Sequence, residues 1–437
     1  MKALFTVWSF PGHINPAIAI AQALQRRGHE IAFSTGERAR AIVAQQGMTC
    51  FPFQHVDEDK VYESVFSPQG RSLLTRADVL KDWLVGTLRD QIRDQEAALD
   101  SWAPDVIVCD VTMWGPPLFL RESRGAQVAI CSFAPGCMIP SPDTPVWGMG
   151  LPSPRTWSTR LLNRGVGILT NFRVAALRRE VNRLRVEFGL PMLTVAVHAY
   201  LGGAPLYLVP SIRELDYDRR DVPKSVHYIG SVVWNRPSST PGAPEWFDNL
   251  PRDKPWVHVT EGTMHAYKPF LLQAAAEGLC DLPMEVVMTT GSKERDPEEL
   301  GFGNVAANIH VRNWAPHQLL FERTDVVVTT GGAGTILTAL EAGIPLVIVP
   351  TEWDKPDNAQ RVVEAGAAIR IAPRRCTPRR LREAVNVLLR DPSYREQARR
   401  LGDILKSHNG PTRAAELIER SFGKRPSPLL TGVAGMD

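Results

Sequence analysis

The chain carries almost no excess charge, no paired cysteine motif and no long apolar run. Its 437 residues include 50 basic and 47 acidic side chains, a net charge of +3. Such a near-balance offers no strongly basic surface, so nucleic acid is not expected as a partner. Six cysteines (Cys50, Cys109, Cys131, Cys137, Cys280 and Cys376) are scattered without a Cys-x-x-Cys pair, so metal-ligand spacing is absent. Cys109 and Cys131 fall inside apolar strand-like runs and read as buried thiols suited to a reducing cytosol, and a cytoplasmic location is expected. The opening segment MKALFTVWSFPGHINP has one lysine and an apolar run that stops at Pro11. It is too short for a signal peptide or a membrane span and reads as a first strand, so no stable membrane insertion is expected.

What is present is a globular composition: 44% hydrophobic residues and a mean hydropathy of −0.15. The length suits two domains. Short apolar runs alternate with helical patterns through the first half, in ALFTVWSF (3–10), IAFST (31–35), PDVIVCD (104–110), QVAICSF (127–133) and PLYLVP (205–210). The second half repeats the scheme with PWVHVT (255–260), MEVVMTT (284–290), NIHVRN (308–313), DVVVTT (325–330), PLVIVP (345–350) and AIRIA (368–372). Continuous runs of this length fit strands buried on both faces of a parallel sheet. The fold expected is α/β, two Rossmann-like doubly wound domains facing across a cleft. The boundaries read as 1–232 for the first domain, 233–254 for a Pro- and Ser-rich linker and 255–408 for the second. A C-terminal helix over 409–422 is expected, with packing back on the first domain open to it, and 423–437 reads as a disordered tail.

The run TDVVVTTGGAGTILTALEAG (324–343) reads as strand, glycine turn and helix. It lacks the Gly-Lys-Ser/Thr ending of a triphosphate loop. In an open parallel sheet ligands sit beyond the carboxyl ends of the strands. There, Gly331, Gly332 and Gly334 let backbone approach a ligand, free N–H groups and the helix dipole favour an anion, and Thr335 adds a hydroxyl. A phosphate-type ligand is one reading; a tight turn that needs glycine only for packing is the other. Trp314 in RNWAPHQLL offers a flat apolar surface for a base. Gly262 and Thr263 follow the first strand of this half, while Glu352, Asp354 and Lys355 follow the strand after the glycine helix. Each of these alone also fits a solvated loop.

Taken in order, W-A-P-x-Q, G-G-A-G-T, a Gly-x-Pro strand and D-x-P-x-N-A resemble the donor-binding signature of family 1 nucleotide-sugar-dependent glycosyltransferases, which have the two-domain GT-B fold. The resemblance extends from GHINP to the last helices. It implies that Trp314 stacks on the nucleobase, that the glycine turn, Gly262 and Thr263 lie along the diphosphate, and that Asp354 and Lys355 reach the sugar. Three positions depart from the family pattern: Thr330 replaces a histidine, Thr338 replaces a glutamate that grips the ribose, and Lys355 replaces a glutamine. Thr330 still carries a hydroxyl that can donate to phosphate. The missing glutamate matters less for a deoxyribose, which tilts the donor from a UDP-sugar toward a TDP-sugar.

Proton removal from an acceptor hydroxyl needs a base, and His13 sits beyond the first strand. Asn15 and Pro16 are expected to open the helix that follows it. Asp110, ending PDVIVCD, is placed to orient the imidazole. A solvated loop histidine and a turn-forming aspartate are the plain alternatives; the resemblance implies base and partner. Phe66, Trp83, Trp114, Phe133, Met138 and Trp147 furnish an apolar pocket for a flat or greasy acceptor, with Trp83 and Trp114 also fitting as ordinary core residues. The Arg-rich stretch 173–189 reads as a solvated amphipathic helix, with contact to an anionic membrane surface as the minor alternative. The expectation is an inverting, metal-independent hexosyltransferase with no cofactor beyond its UDP- or TDP-sugar co-substrate, acting on an apolar small molecule as a monomer or homodimer. The competing readings are a nucleotide-sugar epimerase and a non-catalytic nucleotide-sugar-binding or partner-activating protein.

Overall fold

The computed structural model describes residues 1–66, 73–234, 245–263, 269–291 and 295–423. Among them the strands form two sheets, every pairing parallel. The first lobe opens with β1 (Lys2–Thr6), helix α1 (Pro11–Arg26), β2 (Glu30–Thr35), β3 (Thr49–Pro52), β4 (Val106–Asp110) and β5 (Val128–Cys131). A long helix, α2 (Trp157–Glu187), then leads to β6 (Leu206–Val209) and β7 (Val226–Tyr228). The second lobe contains β8 (Trp256–Thr260), β9 (Glu285–Thr289), β10 (Ile309–Arg312), β11 (Val326–Thr329), α3 (Ala333–Glu341), β12 (Leu346–Ile348), α4 (Lys355–Glu364) and β13 (Ala368–Arg370). Helix α5 (Pro378–Arg390) follows; its N-cap Thr377 accepts a hydrogen bond from the Arg380 N–H and Pro378 fills the first turn, the start signal read from the sequence.

The strand orders are β3-β2-β1-β4-β5-β6-β7 and β10-β9-β8-β11-β12-β13. Each order reverses direction once, between β1 and β4 and between β8 and β11. At such a switch point the connections leave in opposite directions and open a crevice at the strands' carboxyl ends. The central strands are buried along their whole length, as the continuous apolar runs require. The two edge strands β3 and β7 escaped the sequence reading because TCFP and VHY are short, half-buried and without an apolar run.

The first helix corrects an expectation. It begins at Pro11, with Phe10 as N-cap, so GHINP is helix and not loop. Pro11 meets the fixed-φ requirement of a first turn, and the His13 and Ile14 N–H groups already bond to the Phe10 carbonyl. Asn15 and Pro16 therefore lie inside the helix rather than at its start.

The chain passes between lobes more than once. Residues 235–244 lie outside the described set, but Trp246, Phe247 and Leu250 pack into the second lobe's core beside Trp256. The last helix, α6 (Gly410–Phe422), returns to the first lobe, where Ala414, Ala415, Leu417 and Ile418 join the core of α1 and β1. Gly410 permits that return, because a Cβ there would lie 2.1 Å from the Ser231 carbonyl oxygen. The tail beyond Gly423 falls outside the described residues.

Candidate functional site

A cavity of about 3230 Å³ runs between the lobes and takes in both switch points. On the first-lobe side, β1 and β4 are neighbours, so the segment after β1 and the last residue of β4 converge. His13 Nδ1 and Asp110 Oδ2 lie 2.8 Å apart, both buried. An ionised carboxylate only accepts, so Nδ1 carries the proton and Nε2 keeps its lone pair. The other carboxylate oxygen, Oδ1, accepts from the Thr112 N–H at 2.8 Å and from the Thr112 hydroxyl. Both oxygens are thus fixed. The ring is held by Phe133 at 4.4 Å between centroids and by the edges of Phe10 and Trp83. Sequence reasoning had no signal for Thr112 beyond its position two residues after Asp110.

On the second-lobe side, β8 and β11 are neighbours, which sets Gly262 and Thr263 beside the glycine turn. Gly331 has φ +96°, and a Cβ there would come within 3.1 Å of Ile348 Cγ2 and 3.3 Å of the Lys355 carbonyl. Glycine is required at 331 by both backbone and space. Gly262, Gly332 and Gly334 differ: a Cβ on any of them would meet nothing within 4 Å. Their open side is the cavity, where Thr335 also lies, in the first turn of α3. The free N–H groups of that turn and the helix dipole make a cradle for an anion.

Thr330 corrects an expectation. Its hydroxyl donates to the Glu261 carbonyl at 2.9 Å and the residue is buried, so the proton foreseen for a phosphate is already committed to joining the two turns. Thr338 is likewise turned back on its helix, donating to the Gly334 carbonyl at 2.8 Å. Trp314 lines the cavity with its side chain half exposed, as a stacking surface requires.

Asp354 caps α4 by position and accepts from Asn358 Nδ2 at 2.7 Å; the same amide donates to the Gly331 carbonyl at 3.1 Å. Asn358 therefore ties the Asp354 carboxylate to the glycine turn, a role not assigned to it from the D-x-P-x-N-A run. Burial pushes the Asp354 carboxyl up, against the Asn358 hydrogen bond and the charge of Lys355. Lys355 is buried and donates to Thr351 Oγ1 at 3.1 Å; burial lowers its ammonium against Asp354, Glu352 and Glu261. Glu261, also on the cavity wall, is pushed up to about 7 by burial, in spite of the Leu271 N–H and Arg295.

Of the apolar residues assigned to the acceptor pocket, Trp83, Phe133, Met138 and Trp147 line the cavity. Trp114 reaches it only as a fully buried floor: its Nε1–H donates to the Val111 carbonyl and its ring meets the edge of His198. Phe66 does not line it; it stands one layer back, stacked on Tyr62 and edge-on to Phe10. The wall instead gains Phe10 and Trp353. Trp353 adopts φ +63° and meets Trp83 of the other lobe edge to face at 6.2 Å. A tryptophan in left-handed backbone is rare and nothing in the sequence announces it.

Helix α4 also docks onto the first lobe. Asp357 accepts from the Gly148 and Gly150 N–H groups at 2.6 and 2.7 Å, Glu364 accepts from Ser153, and Arg361 pairs with Asp216 at 3.2 Å.

The family model for the erythromycin biosynthesis protein CIII-like C-terminal domain matches residues 273–420. The 4'-demethylrebeccamycin synthase of Lentzea aerocolonigenes is 32% identical over 417 residues, covering 93% of this chain and 96% of that protein. The crystal structure of the glycotransferase of kitacinnamycin superposes with a TM-score of 0.72 at 26% identity, covering 96% of this chain and 99% of its own. That of the glycosyltransferase VinC in complex with dTDP gives 0.67 at 20%, with 96% and 99% covered, a likeness of fold.

Proposed function

From a chain that belongs to the family 1 natural-product glycosyltransferases of GT-B fold, we propose a reaction in which His13 deprotonates the acceptor and the glycine cradle receives the leaving diphosphate. The protein is a hexosyltransferase that moves a sugar from a nucleotide sugar to an aglycone. The acceptor is an apolar small molecule lying among Trp83, Phe133, Met138 and Trp147, with a hydroxyl directed at His13 Nε2. Nε2 takes the proton as the oxygen attacks the anomeric carbon, Asp110 stabilises the imidazolium that forms, and the C–O bond to the diphosphate breaks on the opposite face, inverting the centre. Trp314 stacks on the base, and Gly262, Thr263 and the Gly331–Thr335 turn hold the diphosphate. Asp354 binds sugar hydroxyls, with Lys355 adding positive charge beside them. The leaving charge falls on N–H groups at the start of α3, and the reading invokes no metal and no cofactor. A TDP-sugar is preferred over a UDP-sugar, because Thr338 spends its hydroxyl on its own helix and presents no carboxylate to a ribose.

The observation that carries the reading is the buried His13–Asp110 pair facing the Asp354 and glycine-turn wall across one cavity. A pure binder has no use for an oriented base on the wall opposite the donor site, and an epimerase, which also needs a base, has no use for the apolar pocket of Trp83, Phe133, Met138 and Trp147 beside it. The experiment is release of nucleoside diphosphate with and without phenolic and macrolide alcohols. His13→Ala should lower kcat by about 10²-fold or more with donor affinity unchanged. Acceptor-independent release, or near-normal turnover in that variant, overturns the mechanism.

A further inference from the structure

Helix α2 is 31 residues long, yet only Val181 and Arg185 on it are buried. In its first half the large apolar side chains face outward: Trp157 is 78% exposed, Leu161 63%, Ile168 71%, Leu169 78% and Phe172 72%, while Leu177, Val181 and Leu184 further on pack against the first lobe. At about 3.6 residues per turn these five fall within roughly 120° of arc, with Arg160 and Arg164 along one edge and Arg173 along the other. Single exposed apolar residues are ordinary, but a continuous stripe of this kind marks a contact surface. A soluble helix of this length normally turns such a stripe into the core.

Two observations choose what covers it. The first is charge. Between Asp143 and Glu180 the chain has six arginines (Arg155, Arg160, Arg164, Arg173, Arg178 and Arg179) and no acidic residue. A second copy seated on the same face would set arginine rows against arginine rows with no carboxylate between them. An anionic surface pairs with them instead, and a stripe of Trp, Leu, Ile and Phe bounded by arginine is the pattern of a helix lying in a lipid interface. The second is continuity. Ile168 and Phe172, in the middle of the stripe, also line the interlobe cavity, so the face runs directly into the chamber.

We infer that α2 is a docking face for an anionic lipid surface, lying flat with its arginines among the headgroups and its apolar stripe at the acyl boundary. The chamber then opens toward the lipid, where an apolar acceptor concentrates by partition. That last clause rests on the acceptor reading above; the docking itself does not. No helix among the described residues is long and apolar enough to cross a membrane, so the contact is peripheral.

The test floats the full chain with vesicles of phosphatidylcholine alone or mixed with phosphatidylglycerol. The anionic vesicles should carry about tenfold more protein or better, and about 0.5 M salt should release most of it. Trp157→Glu and Leu169→Glu, both outside the cavity wall, should abolish flotation while the far-ultraviolet circular dichroism stays that of the parent; Arg160→Gln with Arg164→Gln should weaken it. Equal recovery on both vesicle types, no flotation at all, or flotation of the glutamate variants at the parent level overturns the proposal. So does a concentration-dependent dimer that Leu169→Glu dissolves in protein that does not float. Diphosphate release on a water-soluble phenol without vesicles separates the two readings: release without flotation sinks the docking alone, and flotation without release sinks the acceptor assignment alone.

Discussion

At the scale of single residues, orientation decides the chemistry. Asp110 gives one oxygen to His13 and the other to Thr112, so the imidazole can hold its proton only on the side away from the cavity. Asp110→Asn presents an amide that can donate to Nδ1 and so favours the opposite tautomer; kcat should fall by about 10²-fold while donor binding holds, read by steady-state kinetics and calorimetry. Glu261 makes a pH-dependent prediction. Its folded-state value is near 7, above the 4.5 of an unfolded glutamate, so the folded chain keeps a proton that the unfolded chain loses between those values. Stability from this group therefore declines as pH rises from about 4.5 to about 7 and stays reduced above that. Glu261→Gln, which can still accept from the Leu271 N–H, should raise the melting temperature more at pH 8 than at pH 5. An equal shift at both would show that the carboxyl titrates normally.

At the scale of elements, α4 couples the loop that ends in Asp354 to the 148–153 segment of the other lobe. Its first residues follow Asp354, and its next turns hold Gly148, Gly150 and Ser153 of the opposite lobe. The side chains of the Asp216–Arg361 pair in this contact are only 1% and 5% exposed. Removing one partner strands a buried charge: Asp216→Ala should cost about 3–5 kcal/mol in urea unfolding, whereas Asp216→Leu with Arg361→Met should cost clearly less. Equal losses would mean that packing, not charge, holds the contact. None of this was readable beforehand, because Asp216 and Arg361 are 145 positions apart and each alone is an ordinary surface-type residue. The strands, by contrast, were legible wherever both faces are buried, since burial on both faces demands an unbroken apolar run. The first turn of α1 was misplaced because Pro11 and Pro16 both satisfy the rules for a helix start, and only the Phe10 carbonyl, already engaged by His13 and Ile14, selects Pro11.

At the scale of the whole molecule, the last described helix comes back to the lobe that holds the first strand. Helix α6 fills the first lobe's core against α1, and Glu419 pairs with Arg27 and with His29 at its rim. Ile418, wholly buried, should tolerate no charge: Ile418→Asp should cost several kcal/mol or leave the chain insoluble, and truncation after His408 should do the same, measured as soluble yield and urea midpoint. Soluble, stable truncated protein would show the first lobe to be complete without α6. The sequence by itself determined the α/β class, the two halves and the strand–glycine turn–helix run, because each follows from local periodicity; the pairing of His13 with Asp110 was implied by the family resemblance, and the structure sets the two side chains 2.8 Å apart. Only the tertiary structure decided which way Thr330 points, that Phe66 stands behind the wall, that Trp353 is part of it, and that α4 joins the lobes. Those outcomes depend on contacts between segments far apart in the chain, and no local pattern records which distant neighbour a side chain will meet.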